Sequence, residues 1–326
     1  MATVSREDFS CAAATNESAY RRVTVPVLKI EAGPGPAVAL MAGVHGDEWE
    51  GQAAILALWH HLPGILQRGT VYLLPAVNAE ASLAGTRLSP SDGGNLNRAF
   101  LGQPARGYTE SVAAALEARL LPRIQALVDV HSGGASLRYL PSSVITRYGD
   151  DPYDARLPGL ARAFGLPQCI YFRGSEAGSM PAAASRHGVL RLSAEIGGGR
   201  ETSGSLVERC RDGLLGCLGE LGLLPGRPLP RNPEIRLYDL DAPAATLRAR
   251  EPGVFIPGVE LGQSVTAHQR IGQMIEPARP DMPVRALVSP QAGTVVCLRA
   301  IARSGDGDCL IQIAPALPLD SLSSRY

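Results

Sequence analysis

Apolar residues in the first two thirds of the chain recur with two rhythms. Short apolar-rich runs, Ala37 to Met41, Thr70 to Pro75, Ala126 to Val130 and Val189 to Ile196, have the length and composition of buried strands. Longer amphipathic runs separate them. Gln52 to His61, stopped by Pro63-Gly64, Glu110 to Leu121, Leu160 to Phe164, and Ser205 to Leu221 with a cap near Thr202 or Ser203 are read as helices. Arg22 to Ile30 alternates Val23, Val25 and Val27 with polar or proline neighbours, the pattern of a half-exposed edge strand. Strands alternating with helices predict an α/β fold. The expected architecture is a mixed, mainly parallel sheet flanked by helices, with a smaller all-β domain at the C-terminal end.

The punctuation supports three segments. Residues 1–19 are polar and alanine-rich and are expected to form a loose arm, ahead of a main domain over 20–225. Leu224 to Pro233 carries four prolines and reads as a stiff linker. Residues 226–326 then hold this linker and the β domain. Its strand-like pieces are Val254-Phe255-Ile256, Met274-Ile275-Glu276, Val284 to Val288, Gly293 to Val296 and Cys309 to Ile313, divided by glycine and proline turns. A loop is expected from Ala76 to Arg87, then a turn at Ser89 to Gly94. The stretch from Tyr139 to Pro158 gives no clear pattern.

Composition narrows the function classes. Thirty-one basic and thirty-one acidic residues cancel, so nothing favours a nucleic acid or a membrane surface as partner. The six cysteines contain no Cys-x-x-Cys pair, and Cys210 and Cys217 fall on one face of a predicted helix as small apolar residues. The first residues lack the pattern of a signal peptide, and no apolar run is long enough to span a bilayer, so the cytoplasm is the expected location. Assembly into a homo-oligomer stays open.

The chemistry gathers where strands end. The run into Ala42-Gly43-Val44-His45-Gly46-Asp47-Glu48 joins a strand to a helix through a glycine-hinged turn. His131 and Glu195 each close another strand-like run. Parallel strands point the same way, so these residues can meet on one rim of the sheet. Two imidazoles and a carboxylate suit zinc and leave a coordination position open. Taken singly, Glu48 is also what a helix's first turn favours, and Glu195 could be an arginine's ion-pair partner.

His45-Gly46-Asp47-Glu48, Asn97-Arg98, His131 after its apolar strand and Glu195 before Gly197-Gly198-Gly199 together resemble the zinc carboxypeptidase-like hydrolases, and most closely the succinylglutamate desuccinylase/aspartoacylase branch. The resemblance covers residues 20 to 225, and the trailing β domain fits the same branch. It implies one Zn²⁺ per chain held by His45, Glu48 and His131, a zinc-bound water as nucleophile, and Glu195 as general base. It further implies that Arg87 faces the scissile carbonyl, and that Asn97 and Arg98 hold the substrate's carboxylate. Asn95 stands where aspartoacylases often carry aspartate. The activity implied is removal of an acyl group from a small N-acyl amino acid. A zinc carboxypeptidase acting on peptides and a non-enzymatic zinc-binding protein of the same fold are the alternatives. One of Tyr139, Tyr148, Tyr153 and Tyr171 is a candidate for the site. The β domain lacks the lysine that a biotinyl or lipoyl carrier needs, since Lys29 is the only lysine. By the resemblance, it shapes the entrance to the site.

Overall fold

The computed structural model describes residues 2–14, 17–102, 105–148, 154–174, 176–227, 234–242 and 244–322. Up to residue 225 the strands are β1 (Thr3–Arg6), β2 (Phe9–Ala12), β3 (Arg22–Val25), β4 (Leu28–Glu31), β5 (Ala37–Ala42), β6 (Thr70–Leu74), β7 (Ala126–His131), β8 (Leu137–Arg147), β9 (Gln168–Arg173) and β10 (Leu190–Gly198). The helices are α1 (Trp49–His61), α2 (Ala79–Ala84), α3 (Tyr108–Arg119), α4 (Leu157–Phe164), α5 (Met180–Arg186) and α6 (Gly204–Glu220). Beyond them lie β11 (Arg236–Asp239), β12 (Thr246–Arg248), β13 (Gly253–Pro257), β14 (Ser264–Val265), β15 (Arg270–Ile275), β16 (Arg285–Val288), β17 (Gly293–Arg299), β18 (Arg303–Ser304), β19 (Cys309–Ala314) and β20 (Ala316–Pro318).

The heart of the main sheet is β6-β5-β7-β10, all parallel. β8 runs antiparallel to β10, while β9 and β11 run parallel to β8. Alternate residues divide the core. Val38 and Leu40 of β5, with Val128 and Val130 of β7 and Leu192 and Ala194 of β10, pack on the face shared with α1, α4 and α6. Ala39, Met41 and Leu127 pack on the other face, among side chains of α3 and α5. Helices on both faces explain why these strands read as continuous apolar runs.

Three expectations need correction. The predicted arm is structured: β1 pairs with β4 at the edge of the main sheet, and β2 pairs with β3. Phe9 and Cys11 alternate with polar residues and are buried in the second core, a period-two signal hidden by its shortness. The single edge strand over Arg22 to Ile30 is two strands, broken around Pro26, with β3 outside the main sheet. The expected loop between Ala76 and Arg87 holds α2, begun by the Asn78 side chain accepting the Ala81 N–H and ended by Gly85 in the left-handed region.

The expected division near residue 226 does not interrupt the sheet. Pro228 to Pro233 of the predicted linker lie outside the described residues. After them β11 returns to pair with β9, and β17 pairs with β8 at Tyr139, Arg138 and Leu137. β16-β15-β13-β18 form a separate four-stranded antiparallel sheet. A small core of Val144, Ile170, Tyr238, Val296 and Ala314, joined by Tyr139 and Phe172, fastens the later strands to β8 and β9. Among the described residues, no helix is long and apolar enough to cross a membrane.

Burial of Phe9 makes the first strands part of the folded unit. Phe9→Ala should lower unfolding free energy by about 3 kcal/mol in chemical denaturation, the usual cost of truncating a buried aromatic. A loss below about 1 kcal/mol would mean that residues 2–14 dock weakly.

Candidate metal centre and active site

β5 ends at Ala42, and the next six residues form the turn into α1. Gly43 adopts φ +72°, and a Cβ there would sit 2.9 Å from Ala76 Cα. Gly46 passes still closer, with its Cβ position 1.9 Å from the Ala81 carbonyl carbon. Only glycine permits that approach. Asp47 accepts the Ala135 N–H and ties this turn to the turn after β7. Glu48 is the residue preceding α1, yet its carboxylate makes no capping hydrogen bond. It turns instead toward the imidazoles.

Register supplies the rest. On neighbouring parallel strands, Glu195 of β10 pairs directly with His131 of β7, so both side chains project from the same face at the same level. His45, Glu48 and His131 then converge, with one ligand atom from each within 4.8 Å of the others. His45 Nδ1 lies 2.8 Å from Glu48 Oε1, and His131 Nδ1 lies 2.9 Å from Glu48 Oε2. The Ser132 N–H donates to the latter oxygen, and Arg87 Nη1 donates to Oε1 at 3.1 Å.

The outer ring nitrogens settle which inner atoms can ligate. His45 Nε2 lies 3.2 Å from Asn95 Oδ1, which also accepts the Asn97 backbone N–H and is therefore the amide's oxygen end. His131 Nε2 lies 3.1 Å from Asp129 Oδ2. Both outer partners are acceptors, so both Nε2 atoms carry hydrogen and both Nδ1 lone pairs can face a cation. Two such nitrogens and a carboxylate fit a zinc ion with an open position. Asn95 thus has a definite role as the outer partner of His45.

Asp129 is fully buried and also binds Arg191 Nη2 at 2.8 Å. Burial alone would raise its pKa, but His131 and Arg191 bring it down to about 2. Burial likewise opposes the charge on Glu48, and His45 and His131 overcome it, holding that carboxyl well below the usual range. His131, between Asp129 and Glu48, is raised well above the ordinary imidazole value against its burial. Glu195 has the opposite surroundings. Burial, then the charge of Glu48, push it up to about 8, with His131 and Arg87 pulling the other way. Its Oε2 is buried without a protein hydrogen-bond partner.

These groups share one cavity of about 490 Å³. His45, Glu48, His131, Glu195, Arg87, Asn97 and Arg98 all border it. Asn97 is partly committed, since its Oδ1 accepts the Met180 N–H at the start of α5. Arg98 is half-exposed, donates to the Asn97 carbonyl and forms a 2.8 Å ion pair with Glu176. Among the tyrosine candidates, Tyr139 and Tyr148 border the cavity, whereas Tyr171 is buried in the first core and does not; Tyr153 lies outside the described residues. Sequence reasoning missed Asp129, Arg191 and Glu176. The first two had a signal: they fall in register with His131 and Glu195, two and four residues earlier, as charges inside otherwise apolar strands.

The catalytic-domain model of the succinylglutamate desuccinylase/aspartoacylase family matches residues 34–221. The chain is 31% identical over 301 residues to N-alpha-acetyl-L-2,4-diaminobutyric acid deacetylase of Halomonas elongata, covering 92% of this chain and 88% of the relative. The product-bound structure of the ectoine utilization protein EutE (DoeB) of Ruegeria pomeroyi superposes with a TM-score of 0.89 at 27% identity, over 96% of this chain and 95% of the other. A succinylglutamate desuccinylase/aspartoacylase structure from Rhodobacter sphaeroides gives 0.88 at 29% identity, with the same coverage of each chain.

Asp129 orients the His131 imidazole, so in a zinc centre built on His45, Glu48 and His131 its charge should matter to metal affinity. Asp129→Asn should weaken zinc binding about 10- to 100-fold in chelator competition, the usual effect of losing an outer-shell partner. Unchanged affinity would remove Asp129 from the centre.

Proposed function

The chain belongs to the succinylglutamate desuccinylase/aspartoacylase family, and from that premise we propose that it is a zinc-dependent amidohydrolase that removes the acyl group from an N-acyl amino acid. The observation that carries the reading is the convergence of His45, Glu48 and His131 beside Glu195, whose Oε2 has no protein partner. His45, Glu48 and His131 would hold the ion. When bound, zinc supplies Lewis acidity, acidifying water and polarising a carbonyl.

The chain's own residues do the remaining work. Glu195 stands beside the ligand His131 with a pKa pushed toward neutrality, suited to taking a proton from the attacking water and giving it to the departing amine. Arg87 donates to Glu48 and is half-exposed at the cavity, which supports a role for its guanidinium in stabilising charge on the carbonyl oxygen. Arg98 offers a forked donor for the substrate carboxylate, with Asn97 beside it. The activity named for the Halomonas relative makes an N-acetyl amino acid with an amine-bearing side chain the first substrate to assay. A cavity of about 490 Å³, bordered among later residues by Asp241, suits a small substrate better than a peptide.

On metal-analysed protein, a panel of N-acyl amino acids should release free amine, while C-terminal trimming of peptides should be negligible. Glu195→Gln should keep its zinc and lose at least about 100-fold in kcat. Full activity in that variant would overturn the base assignment. Peptide trimming that exceeds deacylation would overturn the amidohydrolase reading.

A further inference from the structure

Among the described residues, four carboxylates border the cavity: Glu48, Glu195, Glu176 and Asp241. Glu48 faces the two imidazoles, and Glu195 stands in register with His131. Asp241 accepts the backbone N–H of Arg173 at the rim. Glu176 is bound through the side chain read above as the clamp for the substrate's carboxylate. Its Oε2 lies 2.8 Å from Arg98 Nη2, and both residues are about half exposed, at 50% and 48%. The guanidinium of Arg98 therefore already holds an internal carboxylate.

A substrate carboxylate that takes Arg98 must displace Glu176. The displaced charge then stands at the cavity wall beside the substrate it has admitted. A neutral side chain gives it nothing to bind, and an acidic side chain repels it. An ammonium on the substrate side chain gives it a new partner and turns one ion pair into two. Resting on the deacylase reading above, we propose that Glu176 is the specificity-determining residue of the site. It exchanges Arg98 for the side-chain ammonium of the substrate and selects N-acyl diamino acids over neutral and dicarboxylic ones.

The exchange fixes the signs of two measurements. With the zinc-loaded enzyme, kcat/KM for N-alpha-acetyl-2,4-diaminobutyrate should exceed that for N-acetyl-2-aminobutyrate, its analogue without the amine. In Glu176→Gln that preference should fall about ten-fold, the scale expected of one charge-assisted pair in a partly exposed site, and mostly through KM. The same variant should improve the use of N-acetylglutamate, because Arg98 no longer has a competitor and the acidic side chain no longer meets a negative charge. A preference unchanged by Glu176→Gln, or wild-type enzyme indifferent to the side-chain amine, would overturn the exchange while leaving deacylation intact. Absence of turnover on every N-acyl amino acid would overturn the deacylase reading instead. Calorimetry of the two ligands on zinc-loaded Glu195→Gln protein, with and without Glu176→Gln, tests the exchange apart from turnover. Equal binding of both ligands while Glu176 is intact, or a preference that survives Glu176→Gln, would refute it.

Discussion

One carboxylate between two imidazoles is the interaction on which the site depends. Glu48 is buried and would not carry charge in an apolar interior, yet His45 and His131 on its two oxygens hold it ionised. A buried charge of this kind persists only where partners arrive with good geometry. The elements around Glu48 show how that geometry is met. β5, β6, β7 and β10 run parallel, so their carboxyl ends share a rim, and the turn from β5 into α1 swings His45 and Glu48 over the end of β7. Gly43 and Gly46 let that turn press against its neighbours.

A second layer fixes what the first presents. Asn95 and Asp129 accept from the outer nitrogens, and Arg191 keeps Asp129 ionised. With hydrogen fixed on each outer nitrogen, the inner nitrogens are the ones that face Glu48 and that a cation would take. The same strand register separates two carboxylates by environment. Glu48 is driven down by imidazoles, and Glu195 is driven up by burial and by Glu48 itself. One is thus suited to binding a cation, the other to moving a proton.

Much of this was legible in the chain. Apolar runs between glycine turns placed the central strands, and motif order placed His45, Glu48, His131, Glu195, Arg87, Asn97 and Arg98, which all border one cavity. What escaped was of three kinds. Strands of four residues, such as β1 and β2, are too short for their alternation to stand out. α2 is a six-residue helix made by a cap and a left-handed glycine, not by periodicity. Contacts between distant segments, such as Arg98 with Glu176 or β17 with β8, depend on tertiary placement that no local pattern carries. The charges Asp129 and Arg191 could have been found, because charge inside an apolar strand asks for a partner.

The most direct test of the central claim is a zinc-soaked crystal measured on both sides of the zinc absorption edge. The account predicts one anomalous peak per chain, at about 2.0–2.2 Å from His45 Nδ1, His131 Nδ1 and a Glu48 oxygen. A peak held by other side chains, or none at these three at full zinc loading, would contradict it.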